Sequence, residues 1–206
     1  MIHIGEGLQF KVVDLGNGRV RKHPKKILEQ LATIFRWKKF PEGILWIIMS
    51  RLRARGSIRE SIRRVPADKA RLIGNASECG DGTYEQDCVV TLSRYFRTRP
   101  LAENQRAVDG YIDNVLELAR YGITRPIFNL AVDHGVYPDG FVCNLDLGEF
   151  EFKLEPMLQQ ICSKGWLKCH SYLEEIQDPV LRDYLAHQME ARLEPCGYAA
   201  VWEECL

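Results

Sequence analysis

The spacing of apolar and polar positions changes several times along these 206 residues, and each change marks an element. From residue 3 to 22 the pattern is that of short strands. Gly5 and Gly7 interrupt the first, and Phe10-Lys11-Val12-Val13 is apolar and β-branched. Asn17-Gly18, both tolerant of positive φ, predicts a two-residue hairpin turn into Arg19-Val20-Arg21-Lys22. Pro24 ends that strand. From Lys25 the positions Ile27, Leu28, Leu31, Ile34 and Phe35 recur at helical spacing until Pro41 and Gly43 break it. A second helix is expected over 44–53 with Gly56 as its stop. A third starts at Ser57, where Ser57-x-x-Glu60 reads as a capping box and Ile58 and Ile62 form an apolar side, and closes at Pro66.

Strand character returns over 71–96. Arg71-Leu72-Ile73-Gly74 leads into a hairpin tipped by Cys79-Gly80-Asp81-Gly82, with 87–96 as the return strand and 97–102 as a connector. Val108, Ile112, Val115, Leu116 and Ala119 predict a helix over 103–121, stopped at Gly122. Tyr137-Pro138-Asp139-Gly140 is a turn ahead of a strand over 141–145, and 155–164, 166–176 and 179–193 read as helices. Strands and helices are segregated rather than alternating, which predicts an α+β fold with an antiparallel sheet. Residues 1–97 form the expected N-terminal lobe, with a helical insertion at about 25–55, and 98–206 a reduced helical C-terminal lobe.

Composition narrows the class. A hydrophobic fraction of 46 % supports a real core, and 27 % charged residues do not approach the composition of a disordered chain. The net charge is zero but unevenly spread: residues 1–75 hold 17 Lys and Arg against 6 Asp and Glu, and the remainder holds 11 against 22. Such a basic half either meets phosphates or pairs with the acidic half. No basic n-region with an apolar h-region opens the chain, and the longest apolar run, 44–49, is too short to span a bilayer. With seven Cys, an odd number, reduced thiols and a cytoplasmic location are expected, with no membrane partner. Cys162 and Cys169-His170 lack the Cys-x-x-Cys spacing of a zinc site.

Three segments carry candidate chemistry. Ile4-Gly5-Glu6-Gly7-Leu8-Gln9-Phe10-Lys11-Val12 places two glycines where a hairpin backbone can lie close over phosphates. Val20-Arg21-Lys22 places a lysine on the next strand, where it can neutralise phosphate charge. Asp146-Leu147-Gly148 places a carboxylate at a strand end, where it can hold a divalent ion. Together these parts, over about residues 2–150, resemble the protein-kinase-like superfamily: its glycine-rich loop with Phe10 in place of the third glycine, its strand lysine, and its Asp-Phe-Gly element with Leu147 for Phe. The layout from Leu72 to Phe96 and the compact C-terminal part look most like the small bacterial YrbL-type proteins, the PhoP regulatory network protein family.

The resemblance implies a small bilobed kinase-like fold that binds ATP and Mg²⁺, with Gly5, Gly7 and Lys22 on the nucleotide. It implies a helix glutamate that holds Lys22, either Glu60 or Glu29, and Asp146 and Asp133 as metal ligands. It places the base aspartate at Phe128, beside Asn129, so the catalytic loop departs from the family pattern; His134 is nearby. The resemblance therefore implies either a phosphotransferase on a small, unidentified substrate or a nucleotide-binding pseudokinase. A separate expectation, a nucleic-acid- or regulator-binding module, rests on the basic helix with Arg51, Arg53, Arg55, Arg59, Arg63 and Arg64.

Overall fold

The computed structural model describes residues 2–6, 10–26, 28–30, 44–126, 128–169 and 171–204. Gly7, most of the helix expected from Lys25, its Pro41–Gly43 break and His170 lie outside the described residues. The fold is α+β, with an antiparallel N-terminal sheet and a helical C-terminal region. Strands β1 (Ile2–Glu6), β2 (Phe10–Asp14), β3 (Arg19–Pro24), β4 (Ser77–Gly80) and β5 (Thr83–Asp87) pair in the order β1-β2-β3-β5-β4.

The β2–β3 connection differs from the expected two-residue turn. Leu15 N–H donates to Arg19 O at 3.0 Å, so three residues form the tip. Gly16 and Gly18 take the positive φ values, 75° and 77°. The side chains of Asp14 and Asn17 accept from Gly16 N–H and Arg19 N–H, which satisfies the loop without a primed turn at Asn17.

Helix α1 runs unbroken from Ile44 to Arg64, so Gly56 does not stop it and Ser57 is not a cap. An exposed glycine in a helix costs only about 0.5–1 kcal/mol, and Ala54 and Ile58, one turn apart and both buried, hold the helix on the sheet side. Ser57 is buried too. Its hydroxyl reaches Leu147 O at 2.6 Å and Phe150 O at 3.0 Å. Residues Ala67–Ile73 form a 3₁₀ helix rather than a strand, ended by Gly74 in the left-handed region.

The expected return strand 87–96 is also corrected. β5 ends at Asp87, β6 is only Val90–Thr91, and Thr91 caps helix α2 (Leu92–Thr98) by accepting from Arg94 N–H. Helix α3 (Leu101–Ala119) follows, buried along Val108, Ile112 and Val115. A four-residue helix α4 (Leu130–Asp133) leads into β7 (His134–Val136), which pairs with β6 and with β8 (Val142–Asn144) in a small antiparallel sheet. Helices α5 (Glu155–Cys162), α6 (Pro179–Arg192) and α7 (Pro195–Glu203) complete the chain. Between α5 and α6, where one helix was expected, lie a 3₁₀ turn (Gly165–Lys168) and a π-helical turn (Ser171–Glu175).

Two apolar clusters result among the described residues. One gathers Phe10, Ala54, Ile58, Ile73, Tyr84 and Leu147 under the large sheet, and the other gathers α3 with Leu130, Trp166, Leu185 and Met189. The acidic residues of interest lie where these clusters meet: Asp133 ends the helix that begins at Leu130, and Asp146 directly precedes Leu147.

Candidate functional site

Strand β3 sorts its cations by face, because successive side chains alternate. Arg19 and Arg21 point one way, to Asp87 at 3.0 Å and Glu85 at 2.6 Å. Val20 and Lys22 point the other way. Lys22 lies between Val12 of β2 and Tyr84 of β5 in the register. Its ammonium stands 5.5 Å from the centroid of the Tyr84 ring and donates to the carbonyl of Leu145; Tyr84 Oη donates to the same carbonyl at 3.3 Å. Leu145 N–H donates to Asp133 O at 2.7 Å. One residue at the end of β8 thus ties the strand lysine to both aspartates.

Burial lowers the pKa of Lys22, and the charges that oppose this most strongly are Asp146 and then Asp133. The structure therefore brings Lys22, Asp133 and Asp146 together. Asp146 also caps the short 3₁₀ helix Leu147–Glu149, its carboxylate accepting from Gly148 N–H at 3.0 Å. Carboxylate oxygens of Asp133, Asp146 and Glu149 lie within 4.8 Å of one another, a set of hard donors suited to a divalent ion such as Mg²⁺. Burial pushes the Asp133 carboxyl up to about 7, with Asp146 and Glu149 adding to the rise and the Arg125 guanidinium opposing it. Burial would lower the pKa of Arg125, but Asp133 and Glu149 outweigh it and hold the guanidinium charged.

The expected glutamate partners of Lys22 are differently engaged. Glu60 accepts from Arg63 and Arg64 at 2.5–2.8 Å, which hold its carboxyl down at about 2, so it is a helix-surface partner of arginines and not the anchor of Lys22. Glu29 accepts from Lys11 Nζ at 2.6 Å and from Lys26 N–H at 2.8 Å. Gly5 lies in β1 opposite Val12, beside a bulge after His3; Gly7 is outside the described residues. Phe128, where the base aspartate was expected, is a core residue packed edge-on to Trp166. His134 is also core, packed edge-on to Tyr111, its Nδ1 3.2 Å from Leu130 O, and burial lowers its pKa well below the usual range. Neither offers a proton acceptor beside Lys22, Asp133 and Asp146.

Sequence reasoning missed Arg125, Glu149 and Asn144. A signal existed for the first: an arginine between Ile123 and Phe128, both apolar, must be paired if the segment is buried. A cleft of about 820 Å³, lined in part by Lys69, Arg71, Asp113, Asn114, Glu117 and Phe141, includes none of Lys22, Asp133 or Asp146. Its three cations are already paired, Lys69 with Glu117 at 3.1 Å, Arg71 with Asp139 at 2.8 Å, and Arg120 with Glu117 at 3.5 Å and Glu204 at 3.6 Å, which leaves it without an unpaired anchor for an anion.

The chain matches no protein-family model and has no significant match among curated proteins.

Proposed function

We propose that the protein binds a nucleoside triphosphate, ATP with Mg²⁺, in a kinase-like cleft between the large sheet and the end of β8. The observation that carries this reading is the meeting of the β3 lysine with the strand terminus of Asp146 through the Leu145 carbonyl. A shielded ammonium facing carboxylates is the arrangement in which phosphate oxygens and a divalent ion can share one site. Lys22 would contact phosphate oxygens, Asp146 would hold the ion, and the backbone around Gly5 would approach the phosphates. When bound, the ion neutralises phosphate charge. Asp133 and Glu149 add to the negative field that draws an ion in, although Arg125 already engages both.

Binding is better supported than phosphoryl transfer, because core residues occupy the places expected to supply a base. The protein is therefore read as a nucleotide-binding pseudokinase, with transfer to a small substrate as the stronger form of the same proposal. A thermal-shift titration with ATP and Mg²⁺ tests it. A ligand that binds only the folded state must raise the melting temperature, and the shift should disappear in both Lys22→Ala and Asp146→Ala. An unchanged shift in both variants would sink the reading.

The alternative, a module that meets nucleic acid through the basic helix, is less favoured. Arg53, Arg59, Arg63 and Arg64 are paired with Glu151, Glu78 and Glu60, so much of that charge already has an internal partner. No described helix is long and apolar enough to cross a membrane.

A further inference from the structure

Arg125 is not accounted for by a cleft that holds phosphate on Lys22. It follows α3, and its side chain is only 5 % exposed, where an unpaired guanidinium would carry a large desolvation cost. Nη2 stands 2.5 Å from Asp133 Oδ2 and 2.8 Å from Glu149 Oε2, and Nη1 donates to Asn144 Oδ1 at 3.2 Å. Asn144 is fixed in turn by Asn114, which donates to Leu72 O and Val142 O at 3.1 and 3.3 Å. The preceding residue is anchored as well: Thr124 N–H donates to Glu151 O at 2.8 Å and its hydroxyl to Lys153 O at 3.1 Å. The guanidinium is held at both its backbone and its tip.

The place it occupies is the one a second cation would need. A magnesium ion sits about 2.0–2.1 Å from its oxygen ligands, and an ion shared by Asp133 and Glu149 would have to displace Nη2. Asp146 is the member of the acidic group without an ion pair to Arg125 among the described residues. Resting on the reading of the cleft as a triphosphate site, we propose that Arg125 replaces a second divalent ion. The cleft then takes one ion, at Asp146 and the phosphates, while Asp133 and Glu149 ligate none. The guanidinium supplies a positive charge that is part of the chain and does not leave with the nucleotide, so occupancy should not rise further at high divalent concentration.

Manganese, counted by the electron paramagnetic resonance of the free ion, provides the test on the full chain. The wild type with a non-hydrolysable ATP analogue should bind one Mn²⁺. Arg125→Met should bind a second, and without nucleotide its Mn²⁺ affinity should exceed the wild type's by about tenfold or more, the usual scale for ligand and supporting-shell changes. Glu149→Gln removes a nearby charge but no ligand, so it should weaken the wild-type Mn²⁺ affinity by less than about threefold, and it reports even where Arg125→Met fails to fold. Two ions bound to the wild type, no gain in Arg125→Met, or an about tenfold loss in Glu149→Gln would each overturn the proposal. If the wild type binds no ATP analogue, the nucleotide reading fails by itself, and the nucleotide-free Mn²⁺ titrations still decide the role of Arg125.

Discussion

Lys22 shows at the level of one side chain how function and stability are opposed. Its pKa is lowered by burial, so the charged form is disfavoured in the fold. For a base whose folded pKa lies below its unfolded value, the penalty is fully present at low pH and fades as pH rises through the folded pKa toward 10.5. Lys22→Met should therefore melt no lower than the wild type at neutral pH, with the difference narrowing in alkaline buffer. The same variant should lose about ten- to hundredfold in ATP affinity, the scale of a charge-assisted hydrogen bond of about 1.5–3 kcal/mol. A large drop in melting temperature would mark Lys22 as a structural residue instead.

Asp133 gives the opposite sign. Its folded pKa of about 7 lies above the unfolded 3.8, so its contribution to stability is present at low pH and is lost as pH rises across that window. Melting curves from about pH 5 to pH 8 should fall more steeply for the wild type than for Asp133→Asn; parallel curves would contradict the assignment. Lys22 and Asp146 were singled out by their places on a strand and at a strand end, and Asp133 only by its spacing ahead of Asp146, since it ends a short helix. Arg125 was not, since its role depends on two carboxylates, 8 and 24 residues further on, that only the fold brings to it.

At the scale of elements, helix α1 is where local rules and tertiary packing disagreed. Gly56 and the Ser57-x-x-Glu60 pattern both mark a boundary in isolation. In the fold the helix passes through them, because burying Ala54 and Ile58 outweighs one exposed glycine. Two measurements separate these effects. Gly56 has no positive φ, and an added methyl would meet nothing within 4 Å, so Gly56→Ala should stabilise by about 0.5–1 kcal/mol in urea unfolding. Ser57→Ala should destabilise by about 1–3 kcal/mol, since it strips a buried donor from the Leu147 and Phe150 carbonyls. Those carbonyls flank Asp146 and Glu149, so the serine also positions the loop that carries the acidic group, and ATP affinity should fall with it. The short β6 was missed for a related reason: the apolar run after Asp87 reads as one strand until Thr91 is seen to cap α2.

Across the whole molecule, the charge asymmetry of the chain becomes a set of contacts. Among the described residues of the basic first 75, Arg19, Arg21, Arg53, Arg59 and Arg71 each meet a carboxylate from the acidic remainder, so these five are not free cations. That the two charge blocks would meet was readable from composition; which arginines would pair, and that Glu60 would be taken by its own helix, depended on helix phase and hairpin placement. Most of these pairs are exposed, where each contributes about 0–1 kcal/mol and salt screens it. Their larger effect is on what the surface can bind. A free arginine face would hold polyanions strongly at low salt and release them steeply as salt rises. A face already matched by carboxylates should hold them weakly. The protein should therefore leave a heparin column below about 0.2 M NaCl, and double-stranded DNA should bind no tighter than about 10⁻⁴ M near physiological salt. Reversing the match should create what the wild type lacks: Glu78→Lys with Glu151→Lys, which frees Arg59 and Arg53 and adds two cations, should shift elution to higher salt. Wild-type retention beyond about 0.5 M NaCl would instead revive the nucleic-acid reading, because at that ionic strength only several simultaneous phosphate-like contacts survive screening.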